Sequence, residues 1–352
     1  MAAALIALAC AGTGALAQSS RLGLEIAGGK LETLAGAPLR LLGVDRSSGE
    51  YSCVDRGSTS VFAGPTDAAA IAAIVAWHTN AIRLPLNEDC WLGINGADAG
   101  LRGRPYRAAV ERFAAALNAA GLYVILDLHW AAPGRILATE QWPMADANHA
   151  PAFWRSLAAT FKGDRAVLFD LFNEPFITSW RCWRDGCLTA FKDSTGRTVR
   201  YRTAGMQQLV DAVRSTGAAN PIMLGGLAWS SDESQWLRWE PSDPDHQLAV
   251  SFHTYDFSGC NAASCWNQTI APLTAQVPVL TDEFGEQGCT DTYANSYMAW
   301  ADAHDISYLG WAWNATSSGW DCSSGPSLIT NWSGTPTAYG IGLQRHLAQL
   351  AG

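Results

Sequence analysis

Eight short apolar runs of strand length punctuate the chain: Leu39–Val44, Ala81–Leu86, Tyr123–Leu128, Ala166–Phe172, Pro221–Gly225, Leu248–Phe252, Val279–Asp282 and Tyr308–Trp311. Most are separated by stretches whose apolar residues recur with helical period: Thr66–Trp77, Tyr106–Ala120, Trp154–Phe161, Gly205–Ser215, a short Ser234–Arg238, Thr292–His304 and Tyr339–Leu350. The second of these stops at Gly121, a residue suited to end a helix. Strands alternating with helices call for a parallel sheet joined by helical crossovers. Eight alternations closing on a helix match the count of a (β/α)8 TIM barrel. A doubly wound open sheet is the alternative, but no Gly-x-Gly-x-x-Gly follows a strand. Residues 22–38 read as a short β-hairpin ahead of a single barrel domain, with no linker or repeat to divide it.

Polar residues gather at the C-terminal ends of these strands, the rim where barrels place their chemistry. Arg83 lies in the second, His129 follows the third, Asn173 and Glu174 follow the fourth, and His253 and Tyr255 follow the sixth. Glu283 ends the seventh, and Trp311 and Trp313 close the eighth. Two segments stand out, Leu168–Pro175 and Val279–Gly285, because each carries an apolar run into a glutamate followed closely by a chain breaker. A charge at the mouth of a buried strand is costly without a partner or a task. Two such glutamates on one rim are what hydrolysis of a glycoside with retention requires, one as acid and one as nucleophile. Other rim carboxylates have plainer readings: Glu88 and Asp89 shape the loop that ends at Cys90, Glu286 is a loop residue, Glu140 faces solvent, and Asp127 and Asp170 pair with arginine inside the barrel.

Composition narrows the class. Hydrophobic residues make up 48% and charged ones 16%, which supports a large core and excludes a disordered or nucleic-acid-binding chain. A net charge of −9 argues against polyanionic partners and leaves neutral or cationic ligands. Sixteen tryptophans suit stacking on sugar rings, although many must serve the core. Residues 1–17 have the apolar stretch and small-residue cleavage site of a secretory signal, without a leading Lys or Arg, so the mature domain is expected over 18–352. The interrupted apolar stretch is too short to span a bilayer. Nine cysteines leave eight once Cys10 is removed. Cys182–Cys187 and Cys260–Cys265 suggest local bridges, and Cys53–Cys90 with Cys289–Cys322 would complete four, other connectivities remaining open. No Cys-x-x-Cys, His-x-His or His-Glu-x-x-His spacing suggests a metal site, and no cofactor is expected.

Taken together, Leu171-Phe172-Asn173-Glu174-Pro175 and Thr281-Asp282-Glu283-Phe284-Gly285 resemble glycoside hydrolase family 5, the cellulase-type retaining barrel enzymes. Arg83-Leu84-Pro85, Asp127-Leu128-His129-Trp130, Phe252-His253-Thr254-Tyr255 and Gly310-Trp311-Ala312-Trp313-Asn314 support the resemblance. It implies Glu174 as acid/base with a raised pKa and Glu283 as nucleophile held by Arg83 and Tyr255. It further implies Asn173 on the sugar 2-hydroxyl, His129 and His253 as positioning groups, and Trp313 stacked beneath the sugar. The implied activity is that of a secreted or periplasmic monomer cutting β-1,4-glucan. β-Mannanase, exo-β-glucosidase and furanosidase activities, or a non-catalytic carbohydrate-binding barrel, are the alternatives. The long cysteine-bearing loops Glu50–Gly64 and Thr178–Arg200 are expected to wall one end of the cleft and favour exo action.

Overall fold

The computed structural model describes residues 22–316 and 325–352. The expected signal segment and Cys322, the partner expected for Cys289, lie outside the described residues. Eight parallel strands close into a barrel in sequence order: β1 (Leu42–Asp45), β2 (Ala81–Asn87), β3 (Tyr123–Trp130), β4 (Val167–Asp170), β5 (Ile222–Gly225), β6 (Leu248–Tyr255), β7 (Val279–Gly285) and β8 (Ser307–Gly310). Every apolar run read as a strand is one. The helices Ala68–Val75, Arg104–Ala119, Ala150–Phe161, Met206–Arg214, Thr292–Asp302 and Ala338–Ala351 follow the expected stretches, and the short one after β5 spans Trp236–Trp239.

Side-chain alternation along the strands builds two cores. Outward residues such as Val124, Leu126, Val167, Phe169 and Val250 pack beneath the helices. Inward residues near the strand starts, among them Ala81, Ile125, Leu168, Met223, Ala249, Leu280 and Leu309, fill the barrel's lower half. The hairpin Leu24–Ala27 and Lys30–Thr33 closes the bottom by adding Leu24 and Leu31 to that inner cluster. Strands β1 and β2 approach closely at Gly43, where a Cβ would sit 1.9 Å from the Ala81 carbonyl oxygen.

Tryptophan is chiefly a core residue here. Eight of the sixteen are among the largest fully buried side chains. Buried indole N–H groups need acceptors, and the upper strand ends supply them: Trp154 donates to Leu171 O, Trp236 to Leu224 O and Trp183 to Gly225 O. Two elements were not foreseen. An antiparallel hairpin, Leu188–Lys192 with Thr198–Arg202, rises from the loop after β4. The connection from β6 to β7 is a chain of short irregular turns, Ala263–Ala275, broken by Pro272 and the neighbouring disulfide.

Three expected disulfides are formed: Cys53–Cys90, Cys182–Cys187 and Cys260–Cys265. The first ties the loop after β1 to the end of β2. In that loop Glu50 is buried, accepts from the Ser48 N–H, and has its pKa pushed up to about 7 by burial, against the attraction of His129.

Two stability predictions follow from this loop. Chain entropy makes the bridge spanning 37 residues worth about 4 kcal/mol, against about 2 kcal/mol for one spanning five. Urea denaturation of Cys53→Ala/Cys90→Ala should therefore show roughly twice the loss seen for Cys182→Ala/Cys187→Ala. The folded-state pKa of Glu50 lies above the unfolded value of 4.5, so its contribution is fully present below pH 4.5 and is lost as pH rises through about 7. Glu50→Gln should leave stability at pH 4 nearly unchanged and raise it at pH 8 by up to about 3 kcal/mol, read from denaturation midpoints at both pH values.

Candidate active site

The same alternation that fills the barrel floor builds the site. One inward step above the apolar layer, the side chains turn polar: Asp45 on β1, Arg83 on β2, Asp127 on β3, Asp170 on β4, Ser251 on β6 and Asp282 on β7, all buried. At the centre is Arg83. Its Nη1 reaches Glu283 Oε1 at 2.6 Å and Asp45 Oδ1 at 3.2 Å. Its Nη2 reaches Asp170 Oδ2 and Asn173 Oδ1 at 2.8 Å each and Asp127 Oδ2 at 3.1 Å, while Nε lies 3.1 Å from Asp282 Oδ2. Five carboxyl groups around one guanidinium cannot all carry charge in a dry interior. Burial, reinforced by the neighbouring acids, pushes Asp45 and Asp170 well above the usual carboxylate range despite Arg83. Asp170 thus favours its neutral form, in which it can donate to Asp282. Burial would also raise Asp282, but Arg83 and His253 outweigh it and hold that group far below its ordinary value.

A bulge brings Glu283 to the centre. Strand β7 carries an extra residue relative to both neighbours: Ser251 pairs with Leu280 but His253 with Glu283, and Thr281 pairs with Tyr308 but Phe284 with Gly310. The bulge lets consecutive residues, Asp282 and Glu283, both meet Arg83. Tyr255 donates from its hydroxyl to Glu283 Oε2 at 2.6 Å.

Glu174 stands across the cleft on the extension of β4, where Asn173 N–H bonds Leu128 O and keeps the chain against β3. Its two oxygens have separate partners: His253 Nδ1 lies 3.0 Å from Oε1, and the Gln141 amide donates to Oε2 at 2.8 Å. Acceptor or donor atoms of Glu174, His253 and Glu283 all lie within 4.8 Å of one another. Burial raises the Glu174 pKa, but the hydrogen bond and charge of His253, together with Gln141, hold it below its ordinary value. This differs from the raised pKa expected of an acid. Its partner shifts the other way: burial disfavours a charged His253, yet Glu283, Asp282 and Glu174 keep its proton affinity well above normal. The same three side chains are the arrangement among the described residues that could hold a metal ion. A protonated imidazole donating to Glu174 offers no lone pair at Nδ1 for one.

All the rim residues singled out in the sequence meet at this site except one. Trp313 is 1% exposed and packs edge-on against Trp77, because the chain leaves the barrel after Gly310 and Trp313 N–H bonds Asp45 O. The indole in the cleft is Trp311, whose ring lies parallel to that of His129 at 5.5 Å. His129 is fixed by Asp127 at 2.6 Å from Nδ1. Asn173 keeps Nδ2 buried without a hydrogen-bond partner among the described residues, a donor left for a ligand. The cleft holds about 520 Å³ and is walled by Trp229 and Phe257, which are 52% and 61% exposed and backed by the stacked rings of Phe176 and Tyr255. Trp91, Trp180 and Trp183, by contrast, are buried. Neither cystine-tied loop contributes to the described lining, so neither walls the cleft as expected. Gln141, Trp311 and Phe257 were not singled out as ligand contacts: a glutamine in a long loop carries no periodic signal, and an alternating Trp-Ala-Trp does not say which ring stays on the inner face.

Comparison with known proteins agrees with this geometry. The cellulase family (glycosyl hydrolase family 5) matches residues 46–317. Over 188 residues, 49% of this chain, the sequence is 28% identical to a mannan endo-1,4-β-mannosidase of Streptomyces lividans. Over 187 residues, 46% of this chain, it is 29% identical to endoglucanase 1 of Robillarda sp.. Each match spans 43% of the relative's own length. A β-glucanase from Saccharophagus degradans, solved with cellotetraose, superposes with a TM-score of 0.70 at 16% identity, covering 94% of each chain, which shows a shared fold. With the family match covering Arg83, His129, Asn173, Glu174, His253, Tyr255 and Glu283, the chain belongs to glycosyl hydrolase family 5.

Proposed function

We propose that this protein is a secreted retaining β-glycosidase acting on β-1,4-glucan by double displacement, with Glu174 as acid/base and Glu283 as nucleophile. The observation that carries the reading is the separation of the two carboxylates, whose facing oxygens lie within 4.8 Å. Retention needs carboxyl groups about 5–5.5 Å apart, whereas inversion leaves about 6.5–9.5 Å for an intervening water. Their partners are also suitably unequal. Arg83 and Tyr255 aim Glu283 and favour its charged form. Glu174 instead shares a proton with His253, the form an acid/base needs if it is to give and retake one proton per cycle.

In the first half-reaction Glu283 attacks the anomeric carbon while Glu174 protonates the departing oxygen. In the second, Glu174 takes a proton from water, which releases the sugar from Glu283. The free Nδ2 of Asn173 is suited to the 2-hydroxyl, a bond that strengthens as positive charge builds on the ring. Trp311 and His129 provide the floor for the sugar under attack. Exposed Trp229 beside Glu174 and Phe257 beside Tyr255 offer further stacking faces, which suits a chain substrate with units on both sides of the cut. β-Mannan is the second reading, favoured by the similarity to a mannosidase. Bridges with buried cysteines fit an oxidising compartment, and removal of residues 1–17 would leave a monomeric catalytic domain with a carbohydrate as its partner and no cofactor.

The test is hydrolysis of β-glucan, mannan, xylan and aryl cellobiosides, with product configuration followed by NMR. Retention and preference for β-glucan are expected; an inverted first product would overturn the mechanism, and preference for mannan would select the second reading. Glu283→Gln should lower kcat by about 10⁴-fold or more. Glu174→Ala should lose about 10²–10⁴-fold on an unactivated leaving group and far less of the glycosylation rate on a dinitrophenyl leaving group, which departs without a proton. Equal and negligible turnover by the unmodified protein and Glu283→Gln would instead mean a barrel that binds sugar without cutting it.

A further inference from the structure

The loop from β3 to the helix Ala150–Phe161 is pinned on both sides of residue 141. Upstream, Ala138 is clamped twice at the end of β2: its carbonyl accepts from Asn87 Nδ2 at 2.8 Å and its N–H donates to Asp89 Oδ2 at 2.9 Å. Downstream, Trp142 is buried against Phe191 and Tyr201, and the Pro143 carbonyl accepts from the N–H groups of both Phe176 and Ile177 at 3.0 Å. The adjoining Glu140 is tied to Ser194 of the hairpin. Between these anchors Gln141 has one polar contact, the 2.8 Å bond to Glu174 Oε2. A loop held this firmly presents its one free amide at a fixed point in the cleft.

We propose that Gln141 is a positioning residue whose amide donates to Oε2 of Glu174 in both of its protonation states, the proton coming and going at Oε1, so that Glu174 keeps one geometry through both half-reactions. The inference rests on the double-displacement reading. The unprotonated oxygen of a carboxylic acid still accepts a hydrogen bond, and Glu174 must pass through both protonation states in each cycle. The other groups facing Glu174 cannot serve in this way. Its remaining oxygen is occupied by His253, Glu283 is a second acid bound to Arg83, Tyr255 is committed to Glu283, and His129 to Asp127. The Gln141 donor also contributes to holding the Glu174 proton affinity down.

The experiment compares pH profiles of kcat/KM for the unmodified protein, Gln141→Met and Gln141→Glu on an aryl cellobioside with a poor leaving group, with Tm recorded alongside. Glycosylation needs protonated Glu174, so its rate falls as pH rises through that group's apparent pKa. Loss of the donor should move this alkaline limb upward by about one pH unit in Gln141→Met, and further in Gln141→Glu, whose carboxylate repels a second charge. Tm should stay within about 2 °C of the unmodified protein's for a change at one half-buried side chain. An unmoved limb in both variants, or a uniform drop at every pH with a fall in Tm, would overturn the proposal. Glu174→Ala measured in parallel separates the two levels: if it retains full activity on the poor leaving group, the double-displacement reading fails; if it does not and the limb is unmoved, the role of Gln141 alone fails.

Discussion

One buried guanidinium organises the top of this barrel. Arg83 joins side chains from β1, β3, β4 and β7 to its own β2, so five of the eight strands converge on a single cation. Such a cluster is not a source of stability in itself, since desolvating the ions costs as much as their attraction returns. What it provides is position. The hydrogen-bonding edges of a planar guanidinium fix several acceptors at once, and two of the acceptors fixed here are Glu283 and Asn173, one at either side of the place where an anomeric carbon would sit. Removing the cation would leave several buried acids unpaired, a loss of about 3–5 kcal/mol even before Glu283 is misplaced. The raised proton affinities of Asp45 and Asp170 belong to the same arrangement, because neutral acids let a crowded ring surround one positive charge.

That ring makes two glutamates chemically different. Glu283 belongs to the Arg83 cluster and is committed to it by both oxygens, one to the guanidinium and one to the Tyr255 hydroxyl. Glu174 stands outside the cluster, 15% exposed at its side chain, with a histidine and an amide for partners. A carboxylate locked by a permanent cation suits attack on carbon; one bonded to a titratable ring suits proton exchange. The asymmetry comes from chain geometry rather than from the residues, since the bulge in β7 admits Glu283 to the ring while the extension of β4 carries Glu174 past it.

The barrel was legible because its signal is periodic. Each strand is an apolar run, and on six of the eight the inward face changes to polar within two residues, as from Ala81 to Arg83 or from Leu280 to Asp282. Rim residues could therefore be placed by counting. Features that depend on a break in the count could not. Trp313 has the parity of Trp311 but leaves the barrel after Gly310 and turns outward, so alternation assigned the stacking face to the wrong ring. The hairpin Leu188–Lys192 with Thr198–Arg202 does carry alternating residues around Asp193–Gly196, but in a segment dominated by its cysteines that pattern was read as loop. The proton affinity of Glu174 was expected to rise from burial and a like charge. The distance to His253, which reverses the direction, exists only in three dimensions.

The lowered affinity of Glu174 does not conflict with its proposed role as an acid once the site is filled. In the open cleft the 3.0 Å contact favours the charged form of both groups, lowering the proton affinity of Glu174 and raising that of His253. A sugar packed against Trp311 would displace water, and an ion pair loses more than a neutral pair when its surroundings become dry. Passing the proton from Nδ1 to Oε1 along an existing 3.0 Å bond converts the charged pair to a neutral one without moving a heavy atom. Substrate binding would then generate the acid it needs, and an empty cleft would hold its proton on the histidine. In the proposed second half-reaction the same bond run backward would return Glu174 to its carboxylate form, and the imidazole would be the store from which that glutamate draws its proton.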